Sequence, residues 1–236
     1  MRQVFLNAPW VHSEEPAPLK EIFKKFGERR KYPKGYMFEH GGSHGNVYLV
    51  QKGLVFFAFP DNEDKFRVFG IIPPERVVGD LDAITKFKLN VWATSVRPTE
   101  ALVVSGETYR KEIESNPELM RLYTINALAK EETHMEGLMA VFTLPLEKRL
   151  IALCSSIINS YYPLKITEWN PVPLQLTTFE MADIVSSNRS TISTVINQWI
   201  EEGLAKRDGR WLHLHGKLFP NEYDWLNLHI HQDSKK

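Results

Sequence analysis

The chain has 236 residues, 43% of them apolar and 25% charged. That is the balance of a globular protein, with room for two domains of about 100–150 residues. Lys plus Arg number 29 and Asp plus Glu number 29; the balance also holds on each side of Pro145, so bulk charge supplies no attraction to a polyanion. The single cysteine, Cys154, excludes an internal disulfide and any all-cysteine zinc or iron–sulfur site within one chain. One thiol, no cleavable apolar leader and no apolar run near ~18 residues lead to the expectation of a cytoplasmic protein with no membrane partner.

The first 31 residues read as an arm. Pro9, Pro16 and Pro18 interrupt it, and Leu19–Phe26 is a short amphipathic helix. From Tyr32 to about Val104 the texture is β. Short apolar runs recur at Tyr36–Glu39, Val47–Gln51, Leu54–Phe59, Phe66–Ile72, Val91–Val96 and Ala101–Val104. Turn signals separate them: Gly41-Gly42, Gly45-Asn46, Asp61-Asn62 and Pro73-Pro74. Strands this short and close predict a small antiparallel roll or barrel.

Asn116-Pro117 is a helix start, with Asn as cap and Pro in the first turn, and no proline recurs before Pro145. The long helix between them carries two stripes. Ile125, Leu128, Glu132, Met135, Met139 and Phe142 form a coiled-coil-like seam with one charged interruption. Tyr123, Ala127, Lys130, His134, Gly137 and Val141 form a second, mixed stripe. One stripe is expected on the chain's own domain and the other on a partner helix. Leu144-Pro145 is the natural domain boundary, and Leu146–Tyr162 reads as a further helix ended by Pro163.

Residues 177–215 carry the strongest signal. Thr177 and Glu180 have capping-box spacing ahead of a short apolar helix. Ser186-Ser187-Asn188 breaks the pattern, and a second helix follows with Ile192, Val195, Ile196 and Trp199 on one face. Its opposite face shows Arg189, Ser190, Ser193, Thr194 and Asn197, without an acid. Gly203 ends it, and Asp208-Gly209 joins two alternating runs as a hairpin. Helix, turn, helix and hairpin make a winged helix-turn-helix, whose second helix enters the major groove of double-stranded DNA. Lys206, Arg207 and Arg210 on the wing are placed to neutralise phosphates.

These residues resemble the CRP/FNR family of bacterial transcription regulators, most clearly over Thr177–Ile196 and Gly203–Leu204. The resemblance extends to Lys34-Gly35, Val47-Tyr48-Leu49-Val50, Gly53 and Val78-Gly79-Asp80-Leu81 in the amino-terminal part. It implies an α+β chain: an antiparallel β-roll like cyclic-nucleotide-binding jelly rolls, a long dimerisation helix, and the winged helix. The expected boundaries are 1–115, 116–144 and 145–236. By the same resemblance Arg189, Ser190 and Thr194 stand where the family reads bases, with Ser193 beside them, and Thr177, Asn188 and Thr191 stand where it holds phosphates. Many members have an acid where Ser190 stands and an arginine where Thr194 stands, so a different operator is expected. A homodimer, a small-molecule effector and contact with RNA polymerase are the partners implied.

In cyclic-nucleotide binders of the family an Arg-Ser pair takes the cyclic phosphate. Val91-Trp92 falls there, and an apolar pair supplies no guanidinium fork, so cyclic AMP is not the expected effector. Asn90-Val91-Trp92-Ala93-Thr94 and Pro98-Thr99 look similar to the branch that senses halogenated phenols, and Lys130 then aligns with that branch's effector-pairing lysine. Candidate effector contacts are therefore Asp80, Val91, Trp92, Tyr123, Ala127 and Lys130. No cofactor is expected; His40, His44 and His134 are the candidate haem ligands and read as ordinary histidines. No catalytic motif appears. The alternatives are a constitutive DNA binder with a degenerate pocket, a protein-interaction module and, more distantly, a cupin-like metalloenzyme using His40 and His44.

Overall fold

The computed structural model describes residues 4–5, 7–38, 45–60, 66–87 and 91–219; Glu39, His40, Gly41-Gly42, His44, Asp61-Asn62 and Asn90 lie outside the described residues. The chain divides into two units, His12–Glu131 and a second made of the residues up to Val11 with Glu132 onward. In chain order the first unit holds α1 (Ala17–Phe26), β1 (Glu28–Tyr32), β2 (Asn46–Lys52), β3 (Val55–Pro60), β4 (Phe66–Ile72), β5 (Val77–Val78), α2 (Asp80–Thr85), β6 (Trp92–Ser95), β7 (Thr99–Ser105), α3 (Gly106–Glu114) and the start of α4 (Pro117–Thr143).

The strands form two antiparallel sheets, ordered β1-β7-β2-β5 and β4-β3-β6. Strand β2 shows why they pack as a roll. Its residues alternate between two cores. Val47 and Leu49 join Leu19, Ile22, Phe23, Val104, Tyr109, Ile113 and Tyr123, which come largely from helices. Tyr48 and Val50 join Phe38, Val55, Ile72, Ala93, Ala101 and Val103, which come largely from strands. A strand apolar on both faces must be covered on both, here by helices outside and by the facing sheet inside. Rings of Tyr32, Tyr36, Phe38 and Tyr48 crowd the inner face, with centroids 4.6 Å apart for Tyr32–Tyr36 and 5.0 Å for Phe38–Tyr48. At the β2–β3 turn Gly53 has φ +97, and a Cβ there would lie 2.5 Å from Thr99 Oγ1, so only glycine fits.

The second unit holds the remainder of α4, α5 (Leu146–Asn159), β8 (Trp169–Pro171), α6 (Thr178–Ile184), α7 (Arg189–Glu201), β9 (Ala205–Asp208) and β10 (Trp211–His215). Its sheet is ordered β8-β10-β9. Ile192, Ile196 and Trp199 of α7 are buried, as are Leu150, Leu153, Ile157 and Ile158 of α5. Cys154 is buried with them, and burial pushes its thiol up to about 12. Among the described residues no helix is long and apolar enough to cross a membrane.

The two stripes of α4 part as the mixed composition did not foretell. The more apolar seam faces outward: Ile125, Leu128, Met135 and Phe142 are exposed, and Glu132 and Met139 are half-buried. The mixed stripe is the covered one, with Tyr123, Lys130, His134 and Gly137 buried.

Candidate functional site

The helix-turn-helix is set by local bonds. Thr177 Oγ1 accepts from the Glu180 amide at 3.1 Å, and Glu180 Oε2 accepts from the Thr177 amide at 2.8 Å, a complete capping box. Asn188 caps α7: its Oδ1 accepts from the Thr191 amide at 2.9 Å and from the hydroxyls of Ser190 (2.6 Å) and Thr191 (2.7 Å). Thr194 Oγ1 donates to the Ser190 carbonyl at 3.1 Å. These three hydroxyls spend their protons on the chain, so outward they offer lone pairs. Arg189, Ser190, Thr191, Thr194 and Asn197 are exposed on one side of α7 beside the exposed cap Asn188, while Ser193 is half-buried. The first turn of α7 carries no acid, which suits an anion at its amino terminus.

On the wing, Lys206, Arg207 and Arg210 are all exposed, and Gly209 takes φ +56 at the turn. Lys206 Nζ stands 4.3 Å over the Trp169 ring, which holds the ammonium on the outward face of the sheet. Two side chains of α5 anchor the assembly. Arg149 donates from Nε to the Leu144 carbonyl at 2.8 Å and from Nη1 to the Val185 carbonyl at 2.9 Å and the Ser186 carbonyl at 3.4 Å. Trp199 Nε1 donates to Glu147 Oε1 at 2.9 Å, fixing the buried side of α7.

In the roll unit the structure brings three of the candidate effector residues together. Lys130 Nζ lies 2.8 Å from Asp80 Oδ2 and 3.1 Å from Glu15 Oε2. Asn126, one turn earlier on α4, donates to Glu15 Oε2 at 2.8 Å and accepts from Ser13 at 2.8 Å. The Tyr109 hydroxyl reaches Glu15 Oε1 at 3.4 Å. Burial alone would lower the Lys130 ammonium, but Asp80 and Glu15 outweigh it and hold the lysine above its ordinary value. Burial raises the Glu15 carboxyl despite Lys130, and Asp80 adds to that rise. Tyr123 is buried close by. Ala127 is half-buried against the helix-side core. Trp92 opens β6 of the β4-β3-β6 sheet, with its ring 4.8 Å from that of Phe66, and Val91 directly precedes it.

Sequence reasoning placed Lys130 opposite an effector and missed Glu15 and Asn126. Glu15 sits 115 residues before Lys130, in a segment read only as an arm. Its backbone is held by the Glu75 carbonyl at 2.9 Å, a tie that no local pattern announces.

The earlier arm residues belong to the second unit. Trp10, φ +64 and 1% exposed, donates its amide to the Thr133 carbonyl at 3.2 Å. The Phe5 amide donates to Glu136 at 3.0 Å, and Asn7 Nδ2 donates to Glu132 at 2.6 Å. A Cβ on Gly137 would lie 2.8 Å from the Trp10 indole. The close neighbour of Gly137 is thus this chain's own tryptophan. Gly137→Leu is therefore expected to displace Trp10 and cost about 1–3 kcal/mol. Urea unfolding followed by tryptophan fluorescence checks the cost, and sedimentation should show an unchanged mass.

No protein-family profile matches the chain. It is 21% identical over 202 residues to the cAMP-activated global transcriptional regulator CRP of Haemophilus influenzae, covering 85% of this chain and 86% of that one. A transcriptional regulator of the CRP/FNR family from Thermus thermophilus superposes with TM-score 0.59 at 20% identity, over 79% of this chain and 93% of that one. CprK in complex with OCPA superposes with TM-score 0.65 at 14% identity, over 95% and 99%. CprK is one of several comparable neighbours, so the likeness does not single out a halogenated-phenol-sensing branch. A β-roll, a long helix and a winged helix-turn-helix in this order, matched over most of the chain, give this protein the fold of the CRP/FNR transcription regulators.

Proposed function

We propose that this chain is a dimeric CRP/FNR-type transcription regulator. In this reading residues 1–115 sense a small effector other than cyclic AMP, 116–144 dimerise, and 145–236 bind a palindromic operator. The observation that carries the reading is α7. Its exposed face holds Arg189, Ser190, Thr191, Thr194 and Asn197 with no acid in the first turn, beside a wing bearing Lys206, Arg207 and Arg210. A helix kept only for packing needs no such face. Arg189 makes the bidentate guanine contact, and the serine and threonine hydroxyls accept from base amino groups. Thr177, Asn188 and Thr191 flank the phosphates, and Ser193 supports the reading face. Two copies joined along α4 place half-sites one helical turn apart.

Selection of bound duplexes from a random pool, with and without a panel of small molecules, tests this. Enrichment of a palindrome supports the reading; no enrichment under any condition overturns it. On the selected operator Arg189→Ala is expected to lose about 1–3 kcal/mol of specific affinity, with little change on random DNA. Fluorescence anisotropy on both duplexes measures this, and equal losses on the two would remove Arg189 as a base reader. A constitutive binder of the same fold is favoured by one feature, the satisfaction of Lys130 by Glu15 and Asp80 within the chain. Enrichment independent of every additive would select it. RNA polymerase is the further partner this reading calls for.

A further inference from the structure

The outward face of the wing sheet carries a contact that base reading does not use. Strand β10 lies between β8 and β9, with Trp169 opposite His215 and Lys206 opposite His213. Lys206 and Trp169 therefore start from the two edges of the sheet, two strand spacings or about 9–10 Å apart. The lysine crosses the middle strand and brings Nζ to 4.3 Å from the centre of the Trp169 ring. That ring is a fixed support. His215 meets it edge to face at 5.2 Å. The buried Asn170 beside it clamps the preceding turn: its Oδ1 accepts from the Lys165 amide and its Nδ2 donates to the Lys165 carbonyl, both at 2.8 Å.

The charges nearby explain what the ring does. Glu168, next to Trp169, is already answered by Lys165 at 2.8 Å. Asp208 stands two residues along β9 on the same face as Lys206. A lysine free to swing would pair there. Laid over the indole, Lys206 forms no ion pair among the described residues and stays exposed. Holding the stem in place also removes rotamer freedom that a lysine otherwise loses on binding. The lysine occupies the ring's face, so Trp169 is no platform for stacking an unpaired base. An ammonium held unpaired and exposed, on a strand that also bears Arg207, fits an oxyanion of a duplex backbone. We propose that Trp169 is a positioning residue, which holds the Lys206 ammonium free for one backbone phosphate of duplex DNA. This rests on the DNA-binding reading above and adds to it a residue outside the helix-turn-helix.

Fluorescence anisotropy of the full chain with a duplex of random sequence, titrated between about 50 and 200 mM sodium chloride, reads that phosphate without knowledge of the operator. Lys206→Ala should lower the slope of log affinity against log salt by about 1. Trp169→Leu should weaken binding about 2- to 5-fold and lose part of the same slope. Trp169→Phe keeps an aromatic face that attracts a cation less strongly, and should fall between the parent and the leucine variant. In a chain that already carries Lys206→Ala, Trp169→Leu should change nothing further. Binding unaltered by Trp169→Leu overturns the proposal. So does an equal loss with and without Lys206, which would make the indole a structural part of the sheet and nothing more. Thermal unfolding checks that each variant folds; if the leucine variant does not, Trp169→Phe takes its place in the same comparison. A parent that binds no duplex at about 50 mM salt removes the regulator and this phosphate seat together. A parent that binds, with indifferent Trp169 variants, removes the seat alone.

Discussion

Lys130→Met is expected to destabilise the roll unit by about 3–5 kcal/mol, the usual cost of removing one partner from a buried ionic group. The methionine fills a similar volume, so little of the loss comes from packing. It comes from leaving Glu15 and Asp80 buried with no ammonium between them. The expected pH dependence follows from the direction of each shift. In the native chain Lys130 is raised above its model-peptide value of 10.5. Its contribution is therefore complete below that value and is lost only as pH rises through the still higher folded value. Glu15 is raised above 4.5. A raised carboxyl binds its proton more tightly folded than unfolded, so Glu15 subtracts stability as pH climbs from about 4.5 through its folded value. In Lys130→Met the Glu15 carboxyl loses the ammonium that opposes this rise, and the variant should regain stability as the pH falls toward 5. Replacing all three together, Lys130→Met with Glu15→Gln and Asp80→Asn, removes the buried charges as a set and should recover most of the loss. Urea unfolding between pH 5 and 9 measures every part. A single-variant loss below about 1 kcal/mol, flat with pH, would mean that the ion group is not holding α4 to the roll.

The second large effect lies on the other side of the same helix. Leu128 is 60% exposed and Phe142 is 80% exposed, in line with Ile125 and Met135. Exposed apolar residues at three-and-four spacing mark a surface that another helix covers. Each such side chain gains about 1.5–3 kcal/mol when buried. Leu128→Glu with Phe142→Glu should thus make the protein a monomer by sedimentation. Neither side chain is packed inside the chain, so thermal stability at low concentration should change little. Affinity for a palindromic operator should fall by a factor on the order of 100 or more, because the second half-site is no longer delivered with the first. A variant that stays dimeric, or a parent that is monomeric at micromolar concentration, would sink the pairing along this seam.

The contrast between the two faces of α4 also shows where sequence reading stops. Local signals were legible. The Thr177–Glu180 box and the Asp208-Gly209 hairpin act over three or four residues, and each forms as the spacing predicts; the break at Ser186-Ser187-Asn188 falls where α6 ends and α7 begins. The long helix between Asn116 and Pro145 forms as well. Strand β1 escaped because Glu28-Arg29-Arg30-Lys31 is charged and exposed, which no alternation rule reads as a strand; its place comes from pairing with β7. Helix α2 was missed inside a region dominated by β texture, and α3 in the short stretch between Val104 and Asn116 where no element was read. Which stripe of α4 is covered was not legible at all. The chain covers the stripe with Lys130 and His134 because distant segments bring the matching groups: Ser13 and Glu15 for Asn126 and Lys130, and Trp10 for Gly137. Burial of a polar stripe depends on partners far away in sequence, and periodicity carries no record of them.

Arg149 bears on how any signal would travel. Its guanidinium grips the carbonyl at the end of α4 and the two carbonyls of the turn between α6 and α7 at once. The end of α4 and the turn of the helix-turn-helix therefore share one clasp, drawn from a third element, α5. Arg149→Lys keeps the charge but not the fork, and it is expected to leave at least one of the three carbonyls without its donor.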